Sequence, residues 1–330
     1  MTGPLVSIIV TSYNHADYLG QRMDTLLAQR YAPIEIIVID DASTDHSLSV
    51  LNTYTNDPRV TLVALERNGG YAHACNLGVS MARGEFAMFA ECDDYDAPEH
   101  VERLVAALSD SPGAGVAFCR STMVDGDGSV LGTDFELREP EFQNRCRRDT
   151  CIERATVQRF LLMACVIPNM SAALFRTELF RKIGGLSPEY QACADWDFWC
   201  RMAAGCEAFC YVADALNYFR CHADSVRSSA AISLQVIEMF DLLHKAAAAV
   251  PLSALERFRF RCNLGFLWSI YVTAKPLAWL MCFPDIFRGS LEYDRLTPFF
   301  LLLGLGRKGV MAASHFLRSP GAILSRLNRQ

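Results

Sequence analysis

Two apolar runs in the first hundred residues each end abruptly in a cluster of acidic side chains. The run from Ile34 to Ile39 leads directly into Asp40 and Asp41, and the run from Glu85 to Ala90 leads into Glu-Cys-Asp-Asp. Continuous apolar runs of this length predict strands that are buried on both faces, as in a parallel sheet. Ligands of open parallel sheets bind beyond the carboxyl ends of the strands. The sequence therefore predicts two acidic clusters at a ligand-binding edge.

Strand and helix patterns alternate along the first part of the chain. Further strands are predicted from Val6 to Thr11 and from Val60 to Leu65, and helices from Asp17 to Gln29 and from Ala72 to Ala82. Alternation of this kind predicts an α/β fold with a mostly parallel, twisted sheet flanked by helices and joined by right-handed crossovers. Residues 134–154 are polar and rich in arginine, and we expect them to form a surface loop or lid.

Near residue 228 the alternation of strand and helix patterns gives way to helical patterns alone. We expect an α/β domain over residues 1–228 and a helical C-terminal extension over residues 229–330. Residues 251–330 carry a net charge of +7, whereas residues 1–250 carry −13. The net charge of the whole chain is −6, which argues against a nucleic-acid partner.

The extension contains an apolar stretch from Leu264 to Phe283 with Lys275 and Pro276 in its middle. A charge and a helix-breaking proline in a stretch of this length argue against a membrane span. One interpretation is a basic, apolar surface that lies on anionic lipid at the inner face of the plasma membrane. The other is a helical cap on the first domain or a dimer interface. The oligomeric state stays open.

Cysteine usage and the N-terminus indicate the compartment. The chain has 13 cysteines, none in a C-x-x-C pair, and their spacing is not that of a zinc site. We therefore expect a reducing, cytoplasmic environment. The opening MTGPLVSIIV has no basic segment and no long apolar segment before the first strand, so we expect no signal peptide.

The acidic cluster at Glu91, Asp93 and Asp94 offers hard oxygen ligands of the kind that Mg²⁺ and Mn²⁺ prefer. Such a metal usually binds through one or two carboxylates together with substrate phosphates, which points to a nucleoside diphosphate. A single acid of this type more often caps a helix, and Ser43 and Asp45 suit that role. The first strand is followed by neither G-x-G-x-x-G nor a Walker loop, which argues against dinucleotide oxidoreductases and P-loop enzymes.

Six motifs follow one another in a recognisable order. They are Pro4 to Asn14, Glu35 to Asp45, Asn68 to Gly84, Glu85 to Asp94, Arg176 to Gly185 with the later Asp-Trp-Asp-Phe-Trp of residues 195–199, and Arg220-Cys221-His222 with Ser225. Together they resemble the family 2 glycosyltransferases with the GT-A fold, over about residues 4–228. The resemblance implies an inverting transfer of a sugar from a nucleoside-diphosphate donor to a glycan or lipid-linked acceptor, with Mn²⁺ or Mg²⁺ as cofactor.

The resemblance also implies a donor site. Thr11, Tyr13 and Asp41 would hold the base and ribose of the nucleotide, and Glu91 would contact the ribose. Asn76 would belong to the same site, with capping or orientation of its helix as the alternative. For Tyr13 the alternative is a core aromatic residue.

Metal ligands and a general base complete the implied site. Asp93 would bind the metal, Asp94 could take its place, and His222 would contact the metal or the diphosphate unless it is a structural histidine. Asp195 would be the general base that accepts the proton of the acceptor hydroxyl. A plain helix N-cap is the alternative role for Asp195, and Asp197 is the alternative base.

Three positions depart from the family pattern. Glu91 stands where aspartate is usual, Cys75 where an arginine often helps to hold the diphosphate, and Ala194 where an acid often precedes the base. These departures leave open a non-enzymatic, nucleotide-binding module. A sugar-phosphate nucleotidyltransferase is a further alternative, but the segment after the first strand lacks the Gly-rich basic loop that such an enzyme needs.

Overall fold

The computed structural model of the chain describes residues 3–138, 140–167, 169–221 and 232–274, together with residues 291, 296, 297 and 301. The chain divides into two compact units, Met1–Ser229 and Ala230–Gln330. His222 and the end of the apolar stretch beyond Ala274 lie outside the described residues.

The first unit is built on one sheet, in which the described residues form ten strands. The strands are β1 Val6–Ser12, β2 Ile34–Asp40, β3 Val60–Ala64, β4 Phe86–Glu91, β5 Tyr95–Asp96, β6 Ala114–Val124, β7 Val130–Thr133, β8 Thr150–Glu153, β9 Ala173–Arg176 and β10 Ala208–Arg220. Their order is β3-β2-β1-β4-β9-β6-β10-β5, with β7 beside β6 and β8 beside β10. The long pairings among β3, β2, β1 and β4, and between β6 and β10, are parallel. The short β9 lies antiparallel between β4 and β6.

Helices connect the strands and cover the sheet. In the first unit they are α1 Ala16–Leu27, α2 Ser47–Asn52, α3 Tyr71–Met81, α4 His100–Ser109, α5 Pro140–Arg145, α6 Arg154–Met163, α7 Thr177–Lys182 and α8 Ala194–Gly205. Two short 3-10 helices span Asp134–Leu137 and Met170–Ala172. The second unit contains α9 Ile232–Ala249 and α10 Ala254–Ala274.

The strands separate two hydrophobic cores because their side chains alternate between the faces of the sheet. Ile9 packs with residues of α3 and α8 on one face, whereas Ile8 and Val10 pack with residues of α1 and α4 on the other. All seven residues of β2 are buried. The predicted α/β fold, with a mostly parallel sheet flanked by helices, is confirmed.

The prediction of a surface loop or lid over residues 134–154 was wrong. This segment forms a 3-10 helix, α5 and β8, and it buries Phe142 and Cys146 completely. The arginines that suggested exposure are partly structural, because Arg138 donates to Asp134 at 2.6 Å inside the protein. Apolar residues spaced among charges were enough to bury one side of the segment.

A buried ion cluster joins α1 and α4 to the edge strand β5. Arg22 lies 2.7 Å from Asp96, and both side chains are fully buried. His100 lies 3.1 Å from the other oxygen of Asp96. Burial alone would raise the pKa of Asp96, but the charges of Arg22 and His100 hold it at about 2. Burial likewise opposes the charged form of His100, but Asp96 raises the pKa of His100 to about 10.

The second unit brings aromatic side chains of its two described helices together. Phe240 of α9 contacts Trp268 of α10 edge to face, and His244 contacts Phe260 in the same way. In the part of the chain that the structure describes, no helix combines the length and the apolar character needed to cross a membrane.

We expect Arg22→Met to destabilise the protein by about 3–5 kcal/mol, because removal of one partner leaves a buried charge poorly compensated. Arg30→Met is the matched control, since Arg30 pairs with Glu99 at the surface and such pairs contribute about 0–1 kcal/mol. Urea denaturation of both variants measures the difference. Equal losses of stability in the two variants would contradict the structural role of the ion cluster.

Candidate active site

The carboxyl ends of β1, β2 and β4 meet at one edge of the sheet. In the ladder Thr11 lies opposite Ile39 on one side and opposite Glu91 on the other. Thr11 has the same strand parity as Ile9, and so its side chain belongs to the face that carries α3 and α8. Tyr13 stands just beyond, 44% exposed, and is therefore not a core aromatic residue.

Asp41 is buried and holds the turn that enters α3. Its two carboxylate oxygens accept hydrogen bonds from the backbone amides of Gly69 at 2.7 Å and Gly70 at 2.8 Å. Gly70 has a φ of +85°, a conformation that glycine adopts without strain. Asp40 stabilises the turn that follows β2, because its carboxylate accepts hydrogen bonds from the amide and the hydroxyl of Ser43. The predicted contact of Asp41 with a nucleotide stays a prediction.

The turns after β1 and β2 are braced against each other. The side chain of Asn14 accepts from the Thr44 amide at 2.7 Å, and the Ser43 hydroxyl accepts from the Asn14 amide at 3.0 Å. Asn14 and Ala42 have φ values of +56° and +61°, and within the described ranges no other non-glycine residue has a positive φ. Such strain is common where a fold pre-organises a binding site.

Buried hydrogen bonds hold the acidic turn after β4, which comprises Glu91 to Asp94. Asp94 is 1% exposed, and its oxygens accept from the Asn169 side chain at 2.8 Å and the Arg220 amide at 3.0 Å. Burial raises the pKa of Asp94 to about 7, and the nearby charge of Asp93 adds to this. The amide of Glu91 donates to Ser171 at 2.9 Å. Asp94 thus holds the turn in place, and we do not retain it among the proposed metal ligands.

Arg220 fixes the backbone beside Asp93, a role that sequence reasoning missed. Its Nε donates to the Asp93 carbonyl at 2.9 Å, and another nitrogen donates to the side chain of Gln21 at 2.8 Å. The guanidinium lies over the rings of Tyr18 and Tyr95. The one sequence feature that pointed to Arg220 was its position at the start of the motif Arg-Cys-His.

The residues of the acidic turn fit a metal that is shared with substrate. The described part of the chain holds no group of three or more side chains able to enclose a cation. Mg²⁺ and Mn²⁺ typically need only one or two protein carboxylates beside substrate phosphates. Asp93 is half-buried at the turn and provides one such group. The predicted contribution of His222 falls outside the described residues.

Asp195 and Asp197 lie in the first turn of α8 but have different surroundings. The helix starts at Ala194 with Cys193 as its N-cap, so Asp195 is inside the helix rather than its cap. Asp197 is 8% exposed and pairs with Arg201 at 2.7 Å. Asp197 is thus held in an ion pair, and the role of Asp195 as the base stays a prediction.

Tyr71, the first residue of α3, lies within electrostatic range of the end of β4 and of the start of α8. Its hydroxyl is buried. Burial, the adjacent Cys75 and the carboxylates of Glu91 and Asp195 all raise the pKa of this hydroxyl. Glu91 and Asp195 therefore lie within electrostatic range of one side chain. The sequence feature that could have pointed to Tyr71 was the position of an aromatic residue directly after Gly-Gly.

Asn76 is engaged elsewhere. Its side-chain amide donates to the Leu186 carbonyl and accepts from the Leu186 amide, both at 2.9 Å. The neighbouring Gly185 has a φ of +74°, and a Cβ there would come within 2.4 Å of the Asn76 oxygen. This clamp favours the alternative in which Asn76 orients α3.

Comparisons with known proteins agree with this architecture. The chondroitin synthase of Pasteurella multocida is 34% identical over 140 residues, which are 42% of this chain but only 14% of that protein. Among solved structures, residues 1–349 of S. aureus TarS in complex with UDP-GlcNAc have a TM-score of 0.68 at 17% identity, and the match covers 90% of this chain and 83% of that 1–349 chain. The mannosyltransferase PcManGT of Pyrobaculum calidifontis, in complex with GDP-Man and Mn²⁺, has a TM-score of 0.59 at 19% identity, covering 97% and 82%.

The structural likeness, at such low identity, shows a shared fold and confirms the GT-A architecture predicted from the motifs. The description "Glycosyl transferase family 2" belongs to a family model that matches residues 7–183, more than half of the chain. The protein is accordingly a member of glycosyl transferase family 2.

Proposed function

We propose that the protein is an inverting, metal-dependent glycosyltransferase that moves one sugar from a nucleoside-diphosphate donor to a glycan or lipid-linked acceptor. The single observation that carries the proposal is that Thr11 and Glu91 lie side by side on the face of the sheet that carries α3 and α8, with Asp195 in the first turn of α8. The similar chondroitin synthase makes a polysaccharide, and the similar TarS and PcManGT structures hold nucleotide sugars. These likenesses support a role in the synthesis of envelope polysaccharide.

The donor would lie across the ends of β1, β2 and β4. Tyr13 offers an exposed ring on which the base can stack, and Thr11 and Glu91 lie side by side to meet the ribose. Asp41 keeps the glycine turn in position and lies next to the same edge. Asp93, with His222 as the predicted second contact, would hold Mn²⁺ or Mg²⁺. When bound, the metal would neutralise the charge on the diphosphate leaving group.

The chemical step requires one base. Asp195 would accept the proton of the acceptor hydroxyl while the acceptor oxygen forms its bond to the anomeric carbon. The bond from that carbon to the diphosphate breaks on the opposite face, and a single displacement of this kind inverts the configuration. Asp197 is a poor substitute because Arg201 already holds it.

Two other functions have less support. A nucleotidyltransferase would need a flexible, Gly-rich basic loop after β1, whereas the structure has a braced turn built on Asn14 and Thr44. A non-catalytic module would bind the nucleotide sugar without turnover. Release of free nucleoside diphosphate from a panel of nucleotide sugars, with Mn²⁺ and candidate acceptors, distinguishes the enzyme from the module.

Attachment of the protein to anionic lipid is a further part of the proposal. A lipid-linked acceptor would lie in the same membrane as the attached protein. On α10 the exposed apolar residues Leu255, Phe258 and Phe266 recur at helical spacing, whereas Phe260 is buried. Exposed arginines flank them. Apolar side chains beside cationic ones suit the interface of an anionic membrane.

Asp195→Asn should lower the transfer rate by roughly 10²–10⁴-fold and leave donor affinity nearly unchanged, because the amide cannot accept a proton. Steady-state kinetics and calorimetry with the donor measure the two effects. Asp197→Asn is the control, and it should lower the melting temperature through loss of the Arg201 ion pair more than it lowers kcat. Normal turnover by Asp195→Asn would refute its role as the base.

Asp93→Ala should remove the Mn²⁺-dependent part of nucleotide binding, since the metal would lose its proposed protein carboxylate. Titrations of UDP and GDP with and without Mn²⁺ test this, with Asp110→Ala as a control for an exposed acid remote from the site. Equal Mn²⁺ dependence in wild type and Asp93→Ala would show that the metal assignment is wrong.

Reversal of two exposed charges on α10, Arg257→Glu with Arg259→Glu, should reduce sedimentation with anionic vesicles, because each arginine near such a surface contributes about 1 kcal/mol. Phosphatidylglycerol vesicles at low and high salt, with phosphatidylcholine vesicles for comparison, provide the measurement. The double variant Arg147→Glu and Arg148→Glu changes the same charge at exposed positions of the first unit. If wild type does not sediment with anionic vesicles at low salt, the lipid proposal is wrong.

A further inference from the structure

Two cysteines face each other across the edge strand β8 and its neighbour β10. Cys151 is paired with Cys210 in the antiparallel register, and their sulfurs lie 3.3 Å apart. Neither belongs to a disulfide, and Cys151 is exposed whereas Cys210 is buried.

The backbone geometry of this pair suits a covalent bond. In the same register, the Arg154 amide donates to the Glu207 carbonyl at 2.7 Å, which makes those two residues a hydrogen-bonded pair. Hydrogen-bonded and non-hydrogen-bonded pairs alternate along an antiparallel ladder. Cys151 and Cys210 therefore form a non-hydrogen-bonded pair, whose Cα atoms are typically about 4.5 Å apart. That separation lies within the range that disulfides span.

Contacts at the start of β8 hold the two sulfurs near each other. The carboxylate of Asp149 accepts from the Ala213 amide at 2.9 Å and from Arg103 at 3.0 Å. Together with the Arg154 bond at the other end, these contacts fix β8 against β10 from both sides. Little rearrangement of the backbone is needed to join the sulfurs.

We propose that Cys151 and Cys210 form a reversible disulfide on reaction with a low-molecular-weight disulfide such as oxidised glutathione. The exposed Cys151 thiolate attacks one glutathione sulfur, and the other glutathione leaves as a thiolate. Cys210 then loses its proton and attacks the Cys151 sulfur, which expels the second glutathione. Two protein thiols are oxidised and one disulfide is reduced.

The surroundings of the two thiols explain why Cys151 reacts first and Cys210 second. Burial raises the pKa of the Cys210 thiol to about 12, so Cys210 is a poor first nucleophile. Cys151 is open to solvent and meets the reagent directly. The bond would connect positions 59 residues apart and would close a loop that contains α6, α7 and α8.

Treatment of the full-length protein with oxidised glutathione near pH 8, followed by alkylation and a non-reducing peptide map, should yield one linked peptide that contains Cys151 and Cys210. The melting temperature should rise by roughly 5–10 °C because the closed loop restricts the unfolded chain. Dithiothreitol should reverse both changes.

Serine variants identify the cysteines involved. Cys151→Ser and Cys210→Ser should each lose the linked peptide and the rise in melting temperature, whereas Cys206→Ser, a nearby cysteine, should keep both. Three results would overturn the proposal: glutathione that remains on Cys151 without release, a linked peptide that contains Cys206 instead, or a bond that leaves the melting temperature unchanged. None of these readouts depends on glycosyl transfer.

Discussion

A chain of buried hydrogen bonds beneath the acidic turn supports the candidate site. Asn169 donates to both Asp94 and Asn217, and Asn217 in turn donates to Asp96 at 3.2 Å. Asp96 belongs to the ion cluster with Arg22, so α1, the turn after β4, β5 and β10 share one network. A buried polar network is stabilising and specific when its members are satisfied, and costly when one is removed. The position of the acidic turn therefore depends on residues distant from it in sequence.

Strand parity explains why one face of the sheet would carry the chemistry. Thr11 and Glu91 share a face with the core around α3 and α8, whereas Asp40 ends on the opposite face and serves a local turn. A shift of one residue in β1 or β4 would reverse this arrangement, because side chains alternate along a strand. The completely buried strands set the register, and the register in turn sets which polar residue reaches the site.

The fold and the edge of the sheet that carries the site were predictable from the sequence, but the role of each acid was not. The acids lie where the strand patterns indicate, since apolar runs and strand ends are local properties. Asp94 illustrates the limit: it resembles a metal ligand in sequence, but Asn169 and Arg220 enclose it. Asn76 is a similar case, because its partner Leu186 lies 110 residues away. The buried side of residues 134–154 was missed because charged residues outnumber the few apolar ones that pack.

The sequence by itself determined the alternation of strands and helices, the family and the edge of the sheet at which the acids gather. These features follow from side-chain period and residue type, which act over a few residues. Only the tertiary structure decided that Asn169 and Arg220 enclose Asp94, that Arg220 holds the turn at Asp93, and that Tyr71 lies within electrostatic range of Glu91 and Asp195. Each of these outcomes depends on burial and on partners brought together by the folding of distant segments, and neither property can be read from the neighbours of a residue along the chain.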